Sequence, residues 1–218
     1  MARQLRGVAG LFKIGKQLFT AEGPQAVRKL AGLGADIFLD LKYHDIPNTV
    51  AGAVAAAADL PGVRMVNVHT TGGLAMMRAA REALAGKKNP PALLGVTLLT
   101  SLDAQALRHV GILGPVASRV VALARLAKEA GLDGVVSSAQ EAGAIRRACG
   151  PKFLIVVPGM RPGNAAAQDQ SRISTPAEAI RAGADYLVIG RPITDAKNPR
   201  DAALAINEEI AAARRSSR

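Results

Sequence analysis

Phe38-Leu39-Asp40-Leu41-Lys42-Tyr43-His44-Asp45-Ile46-Pro47-Asn48-Thr49-Val50 is the stretch whose reading decides the fold. It opens inside an apolar run, 37–41, that lacks the in-out alternation of a half-exposed strand and so reads as a strand covered on both faces. A polar turn containing Pro47 follows, then an Ala-rich segment, 49–58, with helical spacing. Strand, turn and helix make one βα unit, and the unit recurs on both sides. Strands are predicted at 10–14, 37–41, 65–69, 93–97, 134–136, 153–157 and 186–189. Helices are predicted at 23–31, 49–58, 74–85, 117–130, 140–148, 175–182 and 201–213. Pro61-Gly62 and the stretches 86–91 and 158–163 punctuate them. The expected fold is α/β, a (β/α)8 TIM barrel occupying 1–218 as a single domain, with the N-terminal first strand missing from this chain. Seven strands fall one short of the barrel, and 218 residues fall below its typical ~250. A doubly wound sheet is the competing architecture, but no G-x-G-x-x-G follows any strand.

Composition narrows the function. Lys and Arg number 28 against 17 Asp and Glu, giving a formal charge of +11 and pointing to an anionic partner. Aromatic residues make up only 3% and Trp is absent, so the stacking surfaces of single-strand nucleic-acid binders are largely missing. A small phosphorylated substrate fits the charge equally well. Cys149 is the only cysteine, which excludes an internal disulfide framework and a cysteine-cluster metal site and agrees with a cytoplasmic location. The longest apolar stretches, such as 50–58 and 93–99, are far shorter than the roughly 20 residues a membrane span needs. No membrane partner is expected.

Charges in apolar strands need an explanation. Alternation puts Asp40 and Lys42 on one face with Phe38, pointing into the mouth of the barrel. The residues alone leave two readings: a structural Asp40/Lys42 ion pair, or groups held for chemistry. Lys13 lies in the preceding strand, in the otherwise apolar Leu11-Phe12-Lys13-Ile14, and brings a second ammonium to the same mouth. Two lysines and one aspartate call for another anion. His69 closes a strand and reads as a structural histidine; His44 and His109 read as exposed, Met76-Met77 as helix packing, and 213–218 as a solvated tail.

Leu39-Asp40-Leu41-Lys42-x-x-Asp45-Ile46-Pro47-Asn48-Thr49 resembles the D-x-K-x-x-D signature of the orotidine 5′-monophosphate decarboxylases, in the form carrying an I-P-x-T extension. Further stretches resemble the same family in order: Lys13-Ile14-Gly15 with Leu18-Phe19 and Glu22-Gly23-Pro24, Val66-Asn67-Val68-His69 with Gly72-Gly73, and Val96-Thr97-Leu98-Leu99-Thr100-Ser101. At the phosphate end come Pro158-Gly159-Met160-Arg161-Pro162, Asp169-Gln170 and Gly190-Arg191-Pro192-Ile193-Thr194. The resemblance implies decarboxylation of orotidine 5′-monophosphate to UMP in a cytoplasmic homodimer, without cofactor or metal. It implies catalytic roles for Lys13, Asp40, Lys42 and Asp45, with Asp45 and Thr49 entering the partner's site. Thr100 or Ser101 would bond the pyrimidine or its carboxylate, while Pro158, Arg161, Gln170, Gly190 and Arg191 would form the phosphate end.

Relative to that family, the strand bearing a ribose-binding aspartate is missing. The expectation is that Met1 is an internal start and that the native polypeptide is roughly 20 to 30 residues longer, one βα unit. Three other functions stay open on sequence grounds: a magnesium-dependent phosphosugar decarboxylase or synthase sharing the D-x-K-x-x-D pattern, nucleic-acid binding resting on charge alone, and an inactive truncated scaffold.

Overall fold

The structure, a computed structural model, describes residues 1–160 and 174–216. Strands and helices alternate from β1 (Phe12–Gly15), α1 (Lys16–Glu22) and α2 (Pro24–Ala31) through β2 (Ile37–Tyr43), α3 (Pro47–Ala58), β3 (Val63–His69) and α4 (Gly73–Glu82). They continue with β4 (Ala92–Val96), α5 (Ala104–His109), α6 (Val116–Glu129), β5 (Gly134–Val136), α7 (Ala139–Cys149) and β6 (Leu154–Pro158). The last are α8 (Pro176–Arg181), β7 (Tyr186–Val188), α9 (Arg191–Thr194) and α10 (Pro199–Ser216). Strand order follows chain order from β1 to β7. The pairs β1–β2, β2–β3, β3–β4 and β6–β7 are all parallel. That is the arrangement the alternating sequence rhythm predicts. No helix among the described residues is long and apolar enough to cross a membrane.

Two compact units divide the chain. The first comprises Met1–Val96 and Leu126–Gly134. Its core is built on β2, where all five residues from Ile37 to Leu41 are buried, so both faces of the strand are covered. Ile14, Val66, Val68, Leu93 and Leu94 complete the strand layer. Helix α3 packs against α4, and each buries residues at helical spacing: Val50, Val54 and Ala57 on α3, and Met76, Met77 and Ala80 on α4. Met76 and Met77 are thus packing residues, as expected. Pro47 sits in the first turn of α3, where its fixed φ suits the helix and no hydrogen bond is lost. On β4, Gly95 has no room for a side chain: a Cβ would lie 2.6 Å from the Thr70 methyl and 3.2 Å from Ala127 and Leu132.

Asp133 fixes the approach to β5. Its Oδ2 accepts a hydrogen bond from Leu93 N at 2.8 Å and from the Arg81 guanidinium at 3.1 Å. The second unit, Thr97–Arg125 with Val135–Arg218, repeats the device at Asp185, whose Oδ2 accepts from Ile155 N and from Arg146, both at 2.7 Å. Arg146 also donates to the carbonyls of Gly150, Pro151, Phe153 and Gly183, satisfying the end of α7 and the turns beside it. Thr175 and Glu178 form a reciprocal capping box that starts α8. Cys149 is buried at the end of α7.

The tail divides: α10 runs on to Ser216 and Ala213 is fully buried, two turns after Ile206 and on the same inward stripe as Ala203, whereas Arg214, Arg215 and Ser216 are exposed, as expected of a solvated end.

Candidate active site

The first unit brings three sequence-predicted residues together. Asp40 lies in the middle of β2 with its side chain only 10% exposed. Lys42 Nζ donates to its Oδ1 at 2.6 Å, and Lys13 Nζ, from β1, lies 3.3 Å from its Oδ2. Lys13 reaches Asp40 past Gly15, the residue paired with Asp40 in the β1–β2 register; a Cβ there would approach Lys13 Nζ to 3.1 Å. Burial opposes ionisation of Asp40 and is the largest single influence on it. The Lys42 charge and hydrogen bond, the Asn67 amide and the Lys13 charge together outweigh that burial, so the carboxyl titrates below its ordinary value.

Asp40 and Lys42 meet as expected, yet regular strand alternation is not the reason. Leu39 pairs with Val66 and Tyr43 pairs with Val68, so three residues of β2, Asp40, Leu41 and Lys42, stand opposite the single residue Asn67 of β3. The extra length bulges β2. Lys42 absorbs it at φ 51°, and it is the only non-glycine residue with positive φ among those described. For an L-residue that conformation costs roughly 1–2 kcal/mol, a strain of the kind held at functional sites.

Asn67 is the residue of this cluster that the sequence reading left without a role. It is fully buried, its Nδ2 donates to Asp40 Oδ1 at 2.6 Å, and its Oδ1 accepts from Lys42 N at 2.8 Å. The available signal was a carboxamide between Val66 and Val68 in an apolar strand, since a buried amide must have partners.

Around this cluster, His69 ends β3 half-buried, its ring 5.2 Å from the ring of His44 at a 37° tilt. Burial, with the charges of His44, Lys16 and Lys42 added, outweighs the pull of Asp40 and lowers His69 to about 4. Burial raises the Tyr43 phenol. His44 and His109 are exposed, as expected.

Asp45 stands apart from the cluster. It is exposed, its Oδ1 accepts from Ile46 N at 2.7 Å, and among the described residues it forms no ion pair within 4 Å. Thr49, in the first turn of α3, is exposed too, and Ile46 is 66% exposed. In the second unit, Thr100 and Ser101 lie in the turn after β4, Pro158 ends β6, and Gly190 and Arg191 are exposed at the start of α9. Arg161 and Gln170 lie outside the described residues.

Comparison with known proteins adds independent findings. Residues 1–206 match the family described as Orotidine 5'-phosphate decarboxylase / HUMPS family. The chain is 57% identical over 216 residues to the orotidine 5'-phosphate decarboxylase of Syntrophotalea carbinolica, covering 97% of this chain and 88% of that one. It is 54% identical over 210 residues to the enzyme of the same name from Nitrosococcus oceani, covering 96% and 90%. Among solved structures, orotidine 5'-phosphate decarboxylase from Lactobacillus acidophilus superposes with a TM-score of 0.79 at 38% identity, covering 95% of this chain and 93% of that one.

Proposed function

The chain belongs to the orotidine 5'-phosphate decarboxylase / HUMPS family, and from that membership and its charged cluster we infer that it converts orotidine 5′-monophosphate to UMP and CO2 in pyrimidine biosynthesis. It is a carboxy-lyase. The observation that carries the reading is the Lys42 ammonium held 2.6 Å from a buried Asp40 carboxylate that Lys13 also engages.

The chemistry asks for such a group. Breaking the bond between C6 and the carboxylate leaves the electron pair in an sp² orbital on C6, without a conjugated sink. A positive group already in place stabilises that charge as it forms, and the same ammonium then transfers its proton to C6. In this assignment Lys42 is the donor, Asp40 faces the departing carboxylate, and Lys13 orders Asp40 and reaches the ribose. Repulsion alone is too small: like charges 4 Å apart cost about 4 kcal/mol at an effective dielectric near 20. Enzymatic accelerations require roughly 8 to 23 kcal/mol. The larger share must be a contact with Lys42 that strengthens toward the transition state.

The remaining assignments rest on the family resemblance. Thr100 or Ser101 would bond the pyrimidine or its carboxylate, and Pro158, Arg161, Gln170, Gly190 and Arg191 would bind the phosphate. Asp45 and Thr49 would serve the partner subunit's site in a homodimer. Their exposure beside the exposed Ile46 supports that part. The proposal takes no cofactor and no metal, excludes nucleic acid and membrane as partners, treats 1–218 as one functional domain, and sets the enzyme in the cytoplasm with its soluble substrate.

Incubating the purified protein with orotidine 5′-monophosphate and following the loss of absorbance tests the reading. Turnover should be unchanged by a chelator and should fall by roughly a thousandfold or more in Lys42→Ala. Turnover abolished by the chelator would favour a metal-dependent relative instead, and full activity in Lys42→Ala would remove the assigned proton donor.

A further inference from the structure

We propose that Asn67 is a positioning residue for this reaction: its carboxamide fixes the Lys42 backbone and the Asp40 carboxylate in the one arrangement that points the ammonium at the reacting carbon. The inference rests on the decarboxylase reading above and extends it to a residue that touches no substrate.

The geometry leaves the amide a single orientation. A backbone N–H can only donate and an ionised carboxylate can only accept, so Oδ1 must face Lys42 N and Nδ2 must face Asp40. Both contacts are short, at 2.8 and 2.6 Å, and Asn67 is fully buried, so water does not compete for either partner. Asn67 is also the sole β3 residue opposite the three-residue bulge of β2. Its side chain accepts the Lys42 N–H across that bulge, between the Leu39/Val66 and Tyr43/Val68 pairs. The bulge and the φ of 51° at Lys42 therefore have a local cause. Asp40 Oδ1 receives both the Asn67 amide and the Lys42 ammonium, so one small group ties the backbone of Lys42 to the partner of its side chain. Gripping backbone and counter-charge together sets where the charge stands, which is what a preorganised electrostatic site requires.

Two variants separate positioning from mere packing. Asn67→Leu keeps the branched four-atom shape of the side chain and removes both hydrogen bonds. Asn67→Asp keeps an acceptor for Lys42 N, but its ionised form sets a second carboxylate against Asp40. When protonated, that side chain again donates to Asp40 and accepts from Lys42 N, imitating the amide. Like charge and burial both raise the pKa of the introduced acid. Turnover of Asn67→Asp relative to the native enzyme should consequently recover as pH falls from 9 toward 5. Asn67→Leu should lose about 100-fold or more in kcat, while KM and the affinity for UMP change by less than about threefold. Thermal melts and circular dichroism accompany each variant, and a crystal structure of Asn67→Leu should show Lys42 relaxed from positive φ and drawn away from Asp40.

A kcat within about threefold of native in a folded Asn67→Leu would overturn the proposal. So would equal losses in kcat and UMP affinity, or a pH profile of Asn67→Asp parallel to the native one. If the native protein itself fails to turn over substrate, the decarboxylase reading fails. The crystal structure then still decides the positional claim: a Lys42 that has not moved in Asn67→Leu would end it.

Discussion

At the residue scale, the protonation of His69 bears on folding and not on the reaction beside it. Its folded pKa is about 4 against an ordinary 6.5, with burial the first cause and neighbouring positive charge the second. Between those values the unfolded chain holds a proton that the folded chain does not, so unfolding takes up protons and folded stability rises with pH across the window. Stability is therefore lost as pH falls from about 6.5 toward 4. The variant His69→Gln has nothing to titrate there. Melting native and variant protein side by side across that range should show the native protein losing ground steadily with acidification. A gap between them that does not change with pH would mean the imidazole is protonated equally in both states. The same residue-scale view explains which site groups were legible. Lys13, Asp40 and Lys42 stood out because a charge in an apolar strand demands a counter-charge. Asn67 makes a quieter demand, since a neutral amide needs only hydrogen bonds, and its partners lie on another strand.

At the element scale, strands such as β2 and β5 were legible because they are buried on both faces and read as apolar runs; the expected 134–136 is β5 itself, and 37–41 lies within β2. Two helices left no such mark. Helices α1 and α9 bury no residue, so they carry no inward stripe from which a helical period could be read. Helix α5 did carry a start signal, Asp103, whose side chain accepts from Ala106 N at 2.8 Å. The bulge in β2 could not be seen at all, because it is a relation between β2 and β3, and neither strand alone encodes the offset. Tight packing at Gly95 is equally invisible in sequence but has a measurable consequence. In Gly95→Ala the new methyl meets Ala127, the end of the Leu132 side chain and, closest, the fully buried Thr70, whose hydroxyl is tied to the Val96 carbonyl. The expected loss is about 1–3 kcal/mol, or a fall in melting temperature of roughly 2–4 °C for each kcal/mol. An unchanged melting temperature would show that β4 and the 3-10 turn Thr70–Gly72 can separate without cost.

At the scale of the whole molecule, the proposed division of labour between subunits can be tested without seeing the dimer. Lys42 and Asp45 are three residues apart in sequence, yet Lys42 is engaged by Asp40 whereas Asp45 is exposed and turned to its own Ile46 N–H. If Asp45 completes the partner's site, each site draws Lys42 from one chain and Asp45 from the other. Homodimers of Lys42→Ala and of Asp45→Ala then lack one essential group in both sites, and each should be nearly inactive. In a mixed dimer one site loses both groups, while the other receives Lys42 from the Asp45→Ala chain and Asp45 from the Lys42→Ala chain, and is intact. Random exchange in an isologous dimer makes about half the dimers mixed, so equal amounts of the two variants should recover about a quarter of native activity. Exchange is checked separately by energy transfer between differently labelled chains. Recovery that rises in step with exchange requires a shared site, because neither variant contains a complete set of groups within one chain. Complete exchange with activity no higher than the sum of the separate variants would return Asp45 to its own subunit, and would remove the reading of the exposed Asp45, Ile46 and Thr49 surface as an interface.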